Sequence, residues 1–307
     1  MKLPDPIKVG SKVAGYAVLA QLGHGAASAI YLVQDPKKKQ IWALKHVQKR
    51  EAKDQRFLDQ TMQEYQIGSK LNHPALRRIV KQVKNRSLLS VKEIYLLMEY
   101  VDGISLESKR PESIIDAIGV FRQVAEGLAH MHASGFVHAD MKPNNIVITE
   151  SGDVKVIDLG QSCASGTVKE RIQGTPDYIA PEQVHRRAIT PKTDIYNLGA
   201  TMYWVLTGTH IPTAMPKGDS LMSSLDDSMI DKPTPVRELN PEVPPRLEEL
   251  IMACVQVDPN LRPETMHKVA DSLDLIRAKM LADARRDSGE IADEDDETSD
   301  GQAAQAG

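Results

Sequence analysis

Two cysteines, Cys163 and Cys254, in a chain of 307 residues are too few for a disulfide framework, so nothing in the fold requires an oxidising compartment. Aromatic residues make up 4% and are scattered, which leaves no platform on which nucleic-acid bases could stack. There is no run of about 18 apolar residues of the kind that spans a bilayer. The nearest candidate, 195–206, is short and interrupted by Asn197, Gly199 and Thr201, so membrane insertion is not expected. The opening residues, Met1 to Pro6 with prolines at 4 and 6, lack the apolar core of a secretory signal. A reducing cytoplasm is the expected location. No internal repeat of fixed period is present.

Charge is also modest. The net value is −4, and nine acids against Arg285 and Arg286 from Asp283 onward leave the preceding body near +3. That is too weak for a protein held to nucleic acid by its electrostatic field. Residues 289–307 combine an acidic run with Gly, Gln and Ala, have no apolar face to bury, and are expected to be disordered.

What is present divides near residue 100. Over 16–100, short β-rich runs such as 29–33, 41–44 and 94–98 alternate with turns and with one longer polar helix around 57–71. Beyond Gly103, helical spacing dominates: Ile118, Phe121, Val124, Ala125, Leu128 and Met131 recur at three and four residues, and 195–206 is apolar almost all round, as a buried helix must be. The expected class is α+β with two lobes: an extension over 1–15, a small β-rich lobe over 16–100, a larger helical lobe over 101–282, and an acidic tail over 283–307.

Gly23, His24, Gly25, Ala26, Ala27 and Ser28 half-match a G-x-G-x-x-G pattern. A dinucleotide fingerprint needs a helix directly after the glycines. Here a β-run follows, so the expected unit is a hairpin whose backbone N–H groups lie over phosphates, with Ser28 in place of the third glycine. Downstream, Trp42, Ala43, Leu44 and Lys45 read as a strand that delivers a lysine from an apolar setting, where an ammonium needs anions or a carboxylate. Glu64, on the predicted helix, can pair with Lys45 and aim it at the α- and β-phosphates.

The second constellation is His138, Ala139, Asp140, Met141, Lys142, Pro143, Asn144 and Asn145, followed by two short β-runs that end at Ile157, Asp158, Leu159 and Gly160. Asn145 and Asp158 offer oxygen ligands suited to Mg2+ on a nucleotide, with Mn2+ as a substitute. Asp140 can accept a hydroxyl proton and orient the oxygen in line with a γ-phosphate, and Lys142 can neutralise the transferring group.

With these motifs in this order, the chain resembles the eukaryotic-type (Hanks-type) serine/threonine protein kinases, in wording closest to bacterial members, over roughly 16–276. The resemblance implies a bilobal kinase fold, ATP and Mg2+ as cofactors, and protein substrates phosphorylated on Ser or Thr, autophosphorylation included. It implies that Met98, Glu99 and Val101 form the gatekeeper and hinge that bind adenine, that Ile30, Ala43 and Val147 enclose the ring, and that Thr175 bonds Asp140 and Lys142. It also likens Asp194 to the family's buried aspartate and pairs Glu182 with Arg262. A docking pseudokinase and a small-molecule phosphotransferase stay open as alternatives.

Two departures stand out. Ala139 occupies the place of the arginine that in many relatives grips a phosphorylated residue of the activation segment. Activity is therefore expected not to depend on that contact, although Ser162, Ser165 and Thr167 remain candidates for modification. Gly68, four residues after Glu64, stands where a large apolar residue usually packs on the position of Leu159. The expectation is a gap, a loosely held helix and an incomplete Lys45–Glu64 pair. Cys163 reads as a bystander thiol, His130 and His132 as surface or packing residues, and His138 as a core residue.

Overall fold

The computed structural model describes residues 3–25, 27–87, 90–213, 215 and 230–287. Ala26 and the predicted disordered tail 289–307 lie outside them. Six strands form the first sheet: β1 (Lys12–Val13), β2 (Tyr16–His24), β3 (Ser28–Gln34), β4 (Ile41–Gln48), β5 (Ile79–Ser87) and β6 (Ser90–Glu99), in the order β1-β2-β3-β4-β6-β5. All pairings are antiparallel.

Because side chains alternate along a strand, register decides which residues share a face. Ile30 pairs with Lys45, Leu32 with Ala43, Ala43 with Met98 and Lys45 with Leu96. One face therefore carries Ile30, Ala43, Lys45, Leu96 and Met98 toward the second lobe. The opposite face buries Tyr31, Val33, Trp42, Leu44, Tyr95 and Leu97 in a separate cluster. The described part of the N-terminal extension folds onto that second face: Ile7 and Val13 pack there, the Ile7 N–H donates to Tyr31 Oη (3.0 Å), and Gln48 Nε2 donates to Asp5 (3.1 Å).

Helix α1 (Gln55–Gly68) lies against this sheet, with Leu58, Thr61, Glu64 and Ile67 buried at helical spacing. It stops at Gly68, three residues short of the sequence expectation, and the chain turns through 69–72 before Pro74. The expected gap at Gly68 is not there. A Cβ at Gly68 would stand within 2.8 Å of Ile79 Cγ1, because Ile79 of β5 fills the space.

The second lobe is built on α2 (Ile114–Ala133), capped by Ser113, whose hydroxyl accepts the Asp116 N–H (3.1 Å). All six of its expected core residues, Ile118 to Met131, are buried. Short strands follow: β7 (Gly103–Ser105), β9 (Ile146–Thr149) and β10 (Val154–Val156) make one small sheet, and β8 (Phe136–Val137) pairs with β11 (Cys163–Ala164). The helix α4 (Pro191–Thr207) starts with proline at its first position and ends at Gly208, whose φ of 75° is the left-handed cap. It is enclosed on every side from Thr193 to Val205. Around it lie α3 (Pro181–Val184), α5 (Val236–Leu239), α6 (Pro245–Cys254) and α7 (Met266–Asp287). Packed lengthwise on α2, α7 continues through Asp287, so the first five residues assigned to the acidic tail are helical. Among the described residues, no helix is long and apolar enough to cross a membrane.

Candidate active site

Lys45 leaves the lobe-facing side of β4 and donates to Glu64 Oε2 on α1 at 2.7 Å, with Asp158 Oδ1 3.7 Å away. The pair is closed, contrary to the expectation drawn from Gly68. Burial works against the charge on Lys45, but Glu64 and Asp158 outweigh it and hold the ammonium above the ordinary lysine value. Lys45 in turn holds the Asp158 carboxyl below the usual carboxylate range. Sequence reasoning missed Arg77. Its Nε donates to the Glu99 carbonyl (3.0 Å), and its charge acts on both Glu64 and Asp158.

Across the cleft, Thr175 Oγ1 donates to Asp140 Oδ1 (2.9 Å) and accepts from Lys142 Nζ (2.8 Å), while Lys142 lies 3.1 Å from Asp140 Oδ2. Asn145 Nδ2 donates to the Asp140 carbonyl (2.8 Å), which leaves its own carbonyl oxygen as a ligand atom. Asp158, half exposed, directly follows Ile157, whose N–H donates to the Asn145 backbone carbonyl (2.8 Å). An amide oxygen and a carboxylate are hard donors, so this pair fits a hard divalent cation.

The loop that carries Asp140 is fixed from beneath. Asp194 is fully buried, and it accepts the His138 N–H (2.8 Å) and the Ala139 N–H (2.7 Å). His132, expected at the surface or in packing, is the third partner, with Nε2 2.8 Å from Asp194 Oδ2. Burial alone would raise the Asp194 carboxyl; the bond to His132 and the backbone donors outweigh it and keep the group below its ordinary value. Ala139 and Asp158 both adopt positive φ, 61° and 64°, a conformation non-glycine residues hold only when their surroundings impose it. For Ala139, the imposing contacts are those from Asp194.

Gly23, His24 and Ser28 fall in the β2–β3 hairpin, and the Gly25 N–H donates to the Ser28 carbonyl (2.9 Å), so the glycine turn joins two strands as the sequence predicts. A cleft of about 540 Å³ runs from this turn to the opposite lobe, lined by Gly25, Ser28, Lys45, Asp140, Lys142 and Asp158. Ile30, Ala43 and Met98 share the sheet face above it, and Val147 of β9 pairs with Ser105 in the lobe below. Glu99 has its backbone engaged inside the lobe, donating to the Arg78 carbonyl (2.9 Å), and its side chain pairs with Lys155 (2.9 Å).

The stretch from Asp158 to Glu182 is tied at several points. Gln63 of α1 donates to the Ser162 carbonyl (2.8 Å), and Gln183 Nε2 donates to the carbonyls of Ala139 (2.9 Å) and Gln173 (3.1 Å). Neither glutamine carried a signal in the sequence. Glu182 receives two bonds from Arg262, at 2.8 and 2.9 Å, as expected. Ser162 is enclosed, 1% exposed, and is removed from the candidates for modification. Cys163 is buried and its thiol is pushed up by that burial, in keeping with an inert role.

The sequence model of the protein kinase domain family matches residues 16–273. The chain is 31% identical over 267 residues to the serine/threonine-protein kinase PrkC of Bacillus subtilis, covering 84% of this chain and 40% of PrkC. It is 32% identical over 264 residues to the serine/threonine-protein kinase PknL of Mycobacterium tuberculosis, covering 83% of this chain and 64% of PknL. The chain thus spans less than two thirds of the length of these curated relatives. The crystal structure of the Mycobacterium tuberculosis PknI kinase domain shares its fold, with a TM-score of 0.66 at 22% identity over 88% of this chain and 99% of that one. With the family model extending from β2 into α7, over more than half of the sequence, the chain belongs to the protein kinase domain family.

Proposed function

We propose that this chain is a serine/threonine protein kinase of the cytoplasm that transfers the γ-phosphate of ATP to hydroxyls of protein substrates, its own included. The observation that carries the reading is the closed set of contacts joining Lys45 to Glu64 and Asp158 on one side of the cleft, and Asp140 to Lys142 and Thr175 on the other.

In this reading the hairpin over Gly23, His24, Gly25, Ala26 and Ser28 covers the phosphates. Ile30, Ala43 and Val147 enclose adenine beside the hinge of Met98, Glu99 and Val101, and Lys45 holds the α- and β-phosphates. Asn145 and Asp158 hold Mg2+, which when bound neutralises charge on the nucleotide; Mn2+ suits the same oxygens. Asp140 accepts the proton of the acceptor hydroxyl as the new oxygen–phosphorus bond forms and the bond to the β-phosphate oxygen breaks, releasing ADP. Lys142 offsets charge on the group in transit, and Thr175 keeps Asp140 and Lys142 in register with the acceptor. Ala139 takes the place of the family's usual arginine, which removes one grip on a phosphorylated segment.

The test is incubation with γ-labelled ATP, Mg2+ and casein followed by phosphoamino-acid analysis. Label on serine and threonine supports the reading; label confined to tyrosine, or none, contradicts it.

A further inference from the structure

The position before Asp140 is apolar as well as uncharged. The Ala139 methyl lies in a buried cluster with Val137, Cys163 and Ile189, so no cation can reach the activation segment from there. One arrives from the segment itself. Lys169 Nζ donates to the Gln161 carbonyl at 2.7 Å and lies 3.4 Å from Gln161 Oε1, which closes the span 161–169 of the segment onto its own start. Inside that closure, β11 pairs with β8, the Gly166 N–H donates to the Ile189 carbonyl (2.7 Å), and the Ile189 N–H donates to the Thr167 carbonyl (2.8 Å). On its far side, Gln183 holds the Gln173 carbonyl and Thr175 meets Asp140.

We infer that Lys169 is a positioning residue whose ammonium staples the activation segment closed, so that Thr175 stays on Asp140 with no phosphate on the segment. The inference rests on the kinase reading above. Its physical basis is geometric: a partly buried ammonium needs a partner, and the Gln161 carbonyl supplies a bond at 2.7 Å; burial presses the ammonium below the ordinary lysine value, and the nearby carboxylates of Asp140 and Asp194 offset only part of that. A neutral side chain of the same length would lose both the bond and that offset, and the span 161–169 would lose this charged tie, leaving Arg186 on the Glu170 carbonyl (3.3 Å) as a cation bonded just beyond it.

The experiment compares wild type, Lys169→Met and Lys169→Arg in steady-state kinetics, with hydrogen exchange of the amides over 160–173. Lys169→Met is expected to lower kcat about tenfold while the KM for ATP stays within about twofold, because the nucleotide cleft is untouched. Lys169→Arg, which keeps the charge, is expected to retain most of the activity. Exchange over 160–173 should quicken in Lys169→Met alone. A Lys169→Met enzyme with wild-type kcat overturns the inference, and so does a loss that Lys169→Arg shares in full. If the wild type transfers no phosphate, the kinase reading fails separately, and wild-type exchange rates in Lys169→Met would still overturn the staple.

Discussion

Ile79 of β5 occupies the space that a side chain on Gly68 of α1 would take, so at its last turn the helix carrying Glu64 is packed by a residue from the sheet and not by a side chain at position 68. A glycine in a helix weakens it by about 1 kcal/mol relative to alanine, yet here it permits an approach that any Cβ would block.

Gly68→Leu is therefore expected to destabilise the protein by about 1–3 kcal/mol through overpacking and to lower activity by pushing Glu64 away from Lys45. Ile79→Ala alone should cost about 2–5 kcal/mol by leaving a cavity. The double variant should be more stable than the sum of the two losses allows, by about 1 kcal/mol or more. Urea denaturation of the four proteins measures this, and additive losses would show that the two sites do not share one space.

Asp194→Asn is expected to cost roughly 2–4 kcal/mol, because an amide cannot accept at both positions that now receive the His138 N–H, the Ala139 N–H and His132. Since the folded carboxyl titrates below its ordinary value, its contribution is present above the unfolded aspartate range of about 4 and is lost as the pH falls through the folded value. Stability against pH should thus have a shallower acid slope in Asp194→Asn than in wild type. Equal slopes would mean that Asp194 titrates normally.

Thr167 donates its hydroxyl to the Ala164 carbonyl within the same turn. With Ala139 supplying no charge to receive a phosphate there, Thr167→Ala and phosphatase treatment are each expected to leave kcat within about twofold. A tenfold fall after either would establish that a segment phosphate is required.

The parts of the fold and site that could be read from sequence are those written in short contiguous strings. The strands that carry Lys45 and Met98, the α2 core from Ile118 to Met131, and the run from Asp140 to Asn145 each carry a local period or motif. The hairpin at Gly23 came out as expected because a β-run directly follows its glycines, and the Glu182–Arg262 pair, 80 residues apart, was expected only through the resemblance to protein kinases. What could not be read depends on contacts between elements far apart in sequence. Nothing near Gly68 reveals that Ile79 will fill its place, His132 meets Asp194 across 62 residues, and Gln63 meets Ser162 across 99. Arg77 and Gln183 belong to the same class, since a single arginine or amide has no periodicity and is defined only by the carbonyls it finds.

The account turns on Asp140 acting in the transfer step and not in nucleotide uptake. Calorimetric titration of wild type and Asp140→Asn with ATP and Mg2+, run beside a γ-phosphate transfer assay on the same preparations, tests that directly. Binding of equal affinity in both proteins, with transfer lowered by about a hundredfold or more in the variant, is the predicted result. Undiminished transfer by Asp140→Asn, or no ATP uptake by the wild type, would contradict it.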